Sequence, residues 1–152
     1  MRSFQSKLFT CLVFAIILLS AGCAGQADPD RVRLNQDGTM VDTVRNLMWQ
    51  QDHSDKKFTS GADAQAYADN LTLAGFDDWR LPTSQELWEL YFANDFTMAG
   101  KLAKEVKMDG SYWTRDGDTI QAGYLEVTDD PGINRYFRDS NKGFVRAVRS
   151  LK

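Results

Sequence analysis

Residues 73–87, with the sequence LAGFDDWRLPTSQEL, decide how the chain is organised because they lead from a glycine turn into a helix. Thr83 and Glu86 have the spacing of a capping box, in which the threonine hydroxyl accepts from the Glu86 N–H and the carboxylate reaches back to the backbone. Pro82 lies directly before them and fixes the entry of the chain. The helix that follows is expected to bury a stripe made of Leu87, Leu90 and Tyr91.

A second helix is predicted on the N-terminal side of this stretch. Thr59 or Ser60 can cap it, it is expected to run to about Leu73, and Gly75 offers a stop. The apolar residues at helical spacing, expected to face the core, are Ala62, Ala66, Tyr67 and Leu71.

The rest of the chain from residue 31 to residue 150 is predicted to be rich in strands. Asp37-Gly38 between the segments 31–34 and 39–44 is a hairpin signal, and residues 47–49 form a third short apolar segment. After an ambiguous region at 93–110, with a short helix expected at 99–106, four more segments follow: 111–114, 120–127, 134–137 and 144–149. This order predicts an α+β fold in which two helices pack on short antiparallel sheets.

Composition excludes several classes of protein. The chain has 152 residues, of which 43% are hydrophobic and 26% charged, and its formal net charge is −3. Disordered chains carry fewer apolar residues, and collagen-like chains need far more than 11 Gly and 3 Pro. Two cysteines are too few for a disulfide scaffold, and a pI near 5.1 argues against a dedicated nucleic-acid binder.

Residues 1–22 are predicted to be a signal peptide. Arg2 and Lys7 precede an apolar run at 8–19, which is too short for a comfortable membrane span. The residues LSAGC at 19–23 resemble a bacterial lipobox, although Ser20 stands where leucine is usual. The resemblance implies cleavage before Cys23, lipidation of Cys23 and a lipidated tether at 23–30; a plain signal peptide with an accidental cysteine is the alternative.

The resemblance also implies a location. Alanine follows Cys23, which by the sorting rule of such lipoproteins predicts the outer membrane, on either its periplasmic or its surface face. Cleavage would remove Cys11 and two basic residues, leaving a domain with no free thiol and a net charge of −5. The membrane, reached through Cys23, is therefore the first expected partner.

Charge is distributed unevenly along the processed chain. Residues 23–134 carry a net charge of −10, whereas residues 135–152 carry +5. Such asymmetry can create a local positive field, and arginine suits carboxylate, phosphate or sulfate groups. Arg146 and Arg149 are expected to be buried in a strand and paired with acids. The residues expected to form a ligand surface are Arg135, Tyr136 and Arg138, with Arg115 added from an earlier strand.

Three segments together resemble the Lcl C-terminal domain family, named for a collagen-like bacterial adhesin. They are DGTMVD at 37–42 with NLMW at 46–49, the opening stretch LAGFDDWRLPT at 73–83 with 86–87, and YWT at 112–114 with FVRAVR at 144–149. Two departures are Arg45-Asn46, where Thr-Gly is common, and Ala147, where cysteine is frequent. The resemblance implies a variant of the C-type lectin fold over residues 31–150.

The polar and aromatic residues around Trp79, together with Trp49 and Trp113, are interpreted first as structural. Asp78, Arg80 and Glu86 can join the helices to the sheet through hydrogen bonds, and direct ligand contact is the alternative. The full set given a structural role is Trp49, Asp78, Trp79, Arg80, Pro82, Glu86 and Trp113.

No metal or cofactor site is predicted. The acidic pairs Asp116/Asp118 and Asp129/Asp130 read as turns beside glycine and proline, and the sugar-binding signatures of calcium-dependent lectins are missing. His53, the single histidine, lies in a polar loop and is expected to be solvated. No nucleophile arrangement, phosphate-binding loop or metal-ligand spacing is present in the sequence.

Three functions remain as hypotheses. The first is a non-catalytic, adhesin-like envelope lipoprotein that binds a glycan, with sulfated or other anionic glycans implied by the adhesin resemblance, or a protein ligand. The second is a periplasmic or outer-membrane scaffold that acts as a protein-interaction module. The third is an unrecognised enzyme, because carboxylate pairs can be assembled in space from distant residues.

Overall fold

The computed structural model describes residues 31–97, 106, 108, 110–127 and 135–152, with the side chains at 94–97, 126–127 and 135–136 left out. The predicted signal peptide, Cys23 and its tether, Asp129/Asp130 and most of the expected helix at 99–106 lie outside these residues. In chain order the elements are β1 (Val32–Leu34), β2 (Thr39–Asp42), β3 (Leu47–Gln50), α1 (Gly61–Asp69), α2 (Ser84–Thr97), β4 (Tyr112–Asp116), β5 (Thr119–Val127), β6 (Arg135–Ser140) and β7 (Val148–Ser150).

The strands form two antiparallel sheets, which confirms the α+β prediction. One sheet has four strands in the order β1-β2-β3-β7, and the other has three in the order β4-β5-β6. The last strand is shorter than expected: residues 144–147 are largely buried but only Val148–Ser150 form β7. The larger sheet therefore contains one chain-distant pairing, β3 with β7, whereas the smaller sheet pairs only strands that are consecutive in the chain.

The first hairpin forms where Asp37-Gly38 predicts it. Gly38 has a φ of +79°, which favours glycine, and the Asp37 carboxylate accepts from the Thr39 hydroxyl at 2.6 Å. That hydroxyl holds the pKa of Asp37 below its ordinary value. The Asp37 side chain therefore stabilises the turn in which it lies.

The turn between β2 and β3 explains one departure from the family pattern. Asn46 has a φ of 55°, in the left-handed region that asparagine tolerates better than most residues. The Asp42 carboxylate accepts from the backbone N–H of Val44 and Arg45 at 3.0 and 3.1 Å. Asparagine therefore supports the backbone conformation for which glycine is the usual choice.

Strand β3 is buried on both faces and separates two hydrophobic cores. Trp49 packs with Leu87 and Leu90 of α2, which confirms two of the three positions predicted for the stripe of that helix. Met48, on the opposite face, belongs to the core that contains Ala68 of α1. None of the described helices is long and apolar enough to cross a membrane.

The buried face of α1 differs from the prediction at the alanines, whereas Tyr67 and Leu71 pack against the core as predicted. Ser60 caps the helix, but the helix ends at Asp69, and Ala62 and Ala66 are exposed while Ala64 and Ala68 are buried. The cause is Gly61, where an added Cβ would lie 3.0 Å from Ile120 Cγ2. This close approach turns the face of positions 61, 64 and 68 toward the sheet. Because alanines occur on both faces of the helix, the sequence pattern does not distinguish the faces, and the contact of Gly61 determines which one is buried.

Candidate functional site

The stretch around Trp79 ties α2 to β7. Arg80 donates to both carboxylate oxygens of Glu86, at 2.8 and 2.7 Å, and its backbone exchanges hydrogen bonds with Val148. Trp79 is buried, and its indole N–H donates to the Phe76 carbonyl at 3.1 Å. The Pro82 carbonyl accepts from the backbone N–H of Arg115, which attaches the same stretch to β4.

The capping box closes at the start of α2. The Thr83 N–H donates to Glu86 at 2.8 Å, and the Glu86 N–H donates to the Thr83 hydroxyl at 3.1 Å. Partial burial raises the pKa of Glu86, but hydrogen bonds from Arg80 and Thr83 outweigh it, so this pKa lies below its ordinary value. The carboxylate of Glu86 in turn raises the pKa of Arg80.

Two arginines of the basic C-terminal segment lie in the interior. Arg149 is 5% exposed, and its guanidinium donates to Asp78 at 2.5 and 3.1 Å and covers the ring of Phe76. This hydrogen bond lowers the pKa of Asp78. Arg146 is fully buried, donates to the Gln51 carbonyl at 2.8 Å and precedes β7 rather than lying within it.

The two remaining tryptophans of the structural set lie in different cores. Trp49 is in the core beneath α2, and Trp113 is in the core beside α1. The indole N–H of Trp113 donates to the Phe58 carbonyl at 3.1 Å. Both rings therefore pack within the protein.

The expected ligand residues do not form one cluster. Arg115 pairs with Ile120 across the sheet, whereas Arg138 pairs with Tyr124, so four residues of β5, or about 13 Å, separate them along the strand. Arg115 is exposed and donates to the Gly117 carbonyl at 3.0 Å. Positions 135 and 136 belong to β6, but their side chains are not described.

A cavity of about 400 Å³ lies between α2 and the three-stranded sheet. Its volume falls in the range of small-molecule sites, roughly 300–1,000 Å³. The lining combines lysine, tyrosine and serine with apolar residues, and the described part of it contains no acidic residue. The lining residues are Lys57, Leu87, Tyr91, Met108, Gly110, Ser111, Tyr112, Gly123, Tyr124, Leu125, Ser140 and Lys142.

The two lysines of the cavity flank one backbone bridge. Phe58 and Gly143 exchange hydrogen bonds at 2.8 and 3.0 Å, and Lys57 and Lys142 directly precede them. In an antiparallel pair this places positions 57 and 142 diagonally on one face, with about 7–8 Å between them. Both side chains are exposed.

Neighbouring groups hold each lysine segment in position. The ammonium of Lys57 lies 4.9 Å from the centre of the Phe144 ring, on which His53 stacks at 3.8 Å. The carbonyl of Lys142 accepts from Ser111 Oγ at 2.5 Å and from Ser140 Oγ at 2.8 Å. Part of the site is therefore preformed.

His53, expected to be solvated, instead lies against the cavity wall. His53 is half-buried, its Nδ1 lies 2.7 Å from the Ser54 carbonyl, and its ring meets Tyr112 edge-on. Since a carbonyl only accepts, Nδ1 carries the proton of this hydrogen bond. The ring supports the aromatic wall beside Lys57.

The acidic residues considered for calcium have other contacts. The Asp116 carboxylate accepts from the Ser84 N–H at 3.1 Å, at the start of α2, and Asp118 lies in the exposed turn after β4. Within the described residues, no three His, Cys, Asp or Glu side chains are grouped closely enough to hold a metal ion.

The cavity residues carried only weak signals in the sequence. Lys142 belongs to the basic C-terminal segment and Tyr112 to the YWT motif, but Lys57 lies in a polar loop and Ser111 in a short strand segment. Their convergence depends on the Phe58–Gly143 bridge, which joins positions far apart in the chain. No local pattern indicates such a pairing.

Comparison with known proteins gives one family. No curated protein and no solved structure matches the chain. The family model of the Lcl C-terminal domain matches residues 38–149, which is well over half of the chain. These residues include both helices, the stretch around Trp79 and the lysine-bearing cavity. The chain therefore belongs to the Lcl C-terminal domain family.

Proposed function

We propose that this protein is a non-catalytic lipoprotein of the bacterial outer membrane whose C-type-lectin-like domain binds an anionic glycan. The observation that carries the proposal is the cavity in which two lysines stand beside tyrosine rings and serine hydroxyls. Tyrosine faces suit the apolar faces of sugars, and ammonium groups suit carboxylate or sulfate. This combination favours a glycan over a purely apolar ligand.

A glycan array, probed with the full chain purified in detergent, tests the proposal at low and high salt. Because the lysines are exposed, raising the salt concentration should screen them and weaken binding. The same signal is expected with a chelator, since no metal is proposed. Salt-insensitive binding, or no glycan signal at all, would contradict the proposal.

The non-catalytic part has its own test. A bound oligosaccharide should be recovered unchanged after long incubation with the protein, as judged by mass spectrometry. Cleavage or modification of the oligosaccharide would replace the binding proposal with the enzyme hypothesis.

The anchor is tested by fractionation of cells. Cys23→Ser should remove the protein from the outer-membrane fraction, because acyl chains on the cysteine supply the proposed anchor. Presence of this variant in the outer-membrane fraction at the wild-type level would contradict lipidation of Cys23. Protease added to intact cells distinguishes the surface face from the periplasmic face.

A protein ligand is the second candidate. Trp88, Tyr91 and Phe92 of α2 form an aromatic cluster with ring centres 4.8 to 6.4 Å apart, and aromatic residues are enriched at protein interfaces. A stoichiometric partner recovered from membranes, in the absence of a glycan signal, would favour this scaffold function.

A further inference from the structure

The charged groups of the domain divide into two kinds. Within the described residues, neither Lys57 nor Lys142 forms an ion pair, although both line the cavity. The arginines that do form ion pairs are Arg31 with Asp42, Arg45 with Glu89, Arg80 with Glu86 and Arg149 with Asp78. The two cavity lysines are thus among the cations that the described acids leave available.

The placement of the two lysines suits one anionic group. Their positions flank the Phe58–Gly143 bridge diagonally, so that two long side chains start about 7–8 Å apart. The Phe144 ring lies beneath the ammonium group of Lys57. The backbone of Lys142 is held by two hydrogen bonds, which its carbonyl accepts from Ser111 and Ser140. Both ammonium groups can therefore reach a single carboxylate or sulfate at the rim.

The remaining walls suit a sugar ring next to that anion. Tyr91 and Tyr124 supply partly exposed aromatic surface, and the buried Tyr112 ring lies behind them in the wall. The hydroxyls of Ser111 and Ser140, which donate to the Lys142 carbonyl, add polar atoms to the same wall. A volume of about 400 Å³ is near the lower end for small-molecule sites, which suits one or two rings. The cavity is too small for a long polymer to be enclosed.

The buried surroundings add positive potential. The fully buried guanidinium of Arg146 lies 5.7 Å from the centre of the Tyr112 ring, on the wall of the cavity. Fixed charges near a low-dielectric wall act more strongly than the same charges in water. A third cationic side chain therefore lies behind the Tyr112 wall of the cavity.

From these observations we propose that the cavity binds the anionic end of a short saccharide, one or two rings long, with Lys57 and Lys142 bracketing the acidic group. The proposal rests on the proposed function and names the ligand class and the residues that take it. It differs from the surface predicted around Arg138 and Arg115, which are too far apart to share one small ligand and would suit a long polyanion.

Isothermal titration of the full chain in detergent tests the proposal with four probes. They are a carboxylated hyaluronan disaccharide, a singly sulfated chondroitin disaccharide, uncharged lactose and long dextran sulfate. We expect at least one anionic disaccharide to bind and lactose to bind at least about tenfold more weakly, as expected when charge-assisted hydrogen bonds are lost. The first two probes show whether carboxylate or sulfate is preferred.

Neighbouring lysines give matched variants. Lys57→Gln and Lys142→Gln should each weaken binding of the anionic disaccharide about tenfold or more, because each removes one ammonium group from the rim. Lys56→Gln is the control: Lys56 is also exposed and is adjacent in sequence, but it lies over Phe58 rather than lining the cavity. It should leave binding unchanged.

The outcomes separate this proposal from the broader one. Dextran sulfate binding that Arg138→Gln weakens, with no disaccharide binding, would overturn the cavity site and leave glycan binding standing. Equal binding of lactose, or equal losses in Lys56→Gln and Lys57→Gln, would also overturn the cavity site. Absence of binding to all glycans would overturn both proposals.

Discussion

The stretch around Trp79 and the wall of the cavity use cationic side chains in opposite ways. At the first, Arg80 and Arg149 are each held by a carboxylate and sit partly or wholly inside the protein. At the second, Lys57 and Lys142 are exposed, and none of the described carboxylates pairs with them. Planar guanidinium groups with bidentate partners suit a fixed structural role, whereas flexible ammonium groups at a rim suit an exchangeable ligand.

The largest expected effect is on the structural side of this comparison. Trp79→Ala should lower the free energy of unfolding by about 3–5 kcal/mol, because it removes a buried aromatic ring and leaves a cavity. Urea denaturation measures the loss. Trp88→Ala is the matched control, since Trp88 is only half-buried, and an equal loss in both variants would contradict the structural role of Trp79.

The next effect concerns Glu86 and depends on pH. Glu86→Gln should cost about 1–2 kcal/mol of unfolding free energy at pH 7, through weakened bonds to Arg80 and Thr83. Because the pKa of folded Glu86 is depressed, its contribution is full above the unfolded pKa, near 4.3, and is lost as pH falls through the folded pKa.

Denaturation at pH 7 and at successively lower pH checks the sign of this effect. The gap between the wild-type protein and Glu86→Gln should narrow as the solution becomes more acidic. A gap that stays constant or widens would show that the charged form of Glu86 does not contribute the difference.

A smaller effect is expected within the cavity wall, beneath Lys142. Ser111→Ala should cost about 1 kcal/mol, because it removes the hydroxyl that donates to the Lys142 carbonyl. Ser140 still donates to that carbonyl, so the group remains satisfied. Binding of the anionic disaccharide should fall less than in Lys142→Gln; a larger fall would show that Ser111 contacts the ligand directly.

The smallest effect is the stability change at the cavity rim. Lys57→Gln and Lys142→Gln should each alter the free energy of unfolding by less than about 0.5 kcal/mol, as is usual for exposed residues without ion pairs. Combined with a large loss of binding, this result would separate ligand recognition from folding. A loss of unfolding free energy as large as that of Glu86→Gln would show that the rim lysines also stabilise the fold, and would contradict the proposed difference between the two regions.

Local chemistry made part of the fold predictable. Thr83 and Glu86 form hydrogen bonds with each other because an N-cap residue and the residue three positions later are neighbours at the start of any helix. Asp37-Gly38 forms a turn because glycine readily adopts a positive φ. The face of α1 was not predictable in the same way. Its alanines alternate at 62, 64, 66 and 68, and the contact of Gly61 with Ile120 decides which of them are buried.

The candidate site shows the same division. The basic segment at 135–152 indicated an anionic ligand, but the fold places its charges in different surroundings. Arg149 forms an ion pair with Asp78, Arg146 is buried in the interior, and Lys142 lines the cavity. A charge count along the chain contains none of this.

The α+β class, the first hairpin, the capped start of α2 and membership of the Lcl C-terminal domain family can all be recognised in the sequence, because they depend on neighbours within a few residues or on a pattern along the chain. The proximity of Lys57 and Lys142 is visible only in the folded protein. Their proximity follows from the Phe58–Gly143 bridge, and a bridge between distant segments depends on how the whole core packs rather than on local preference.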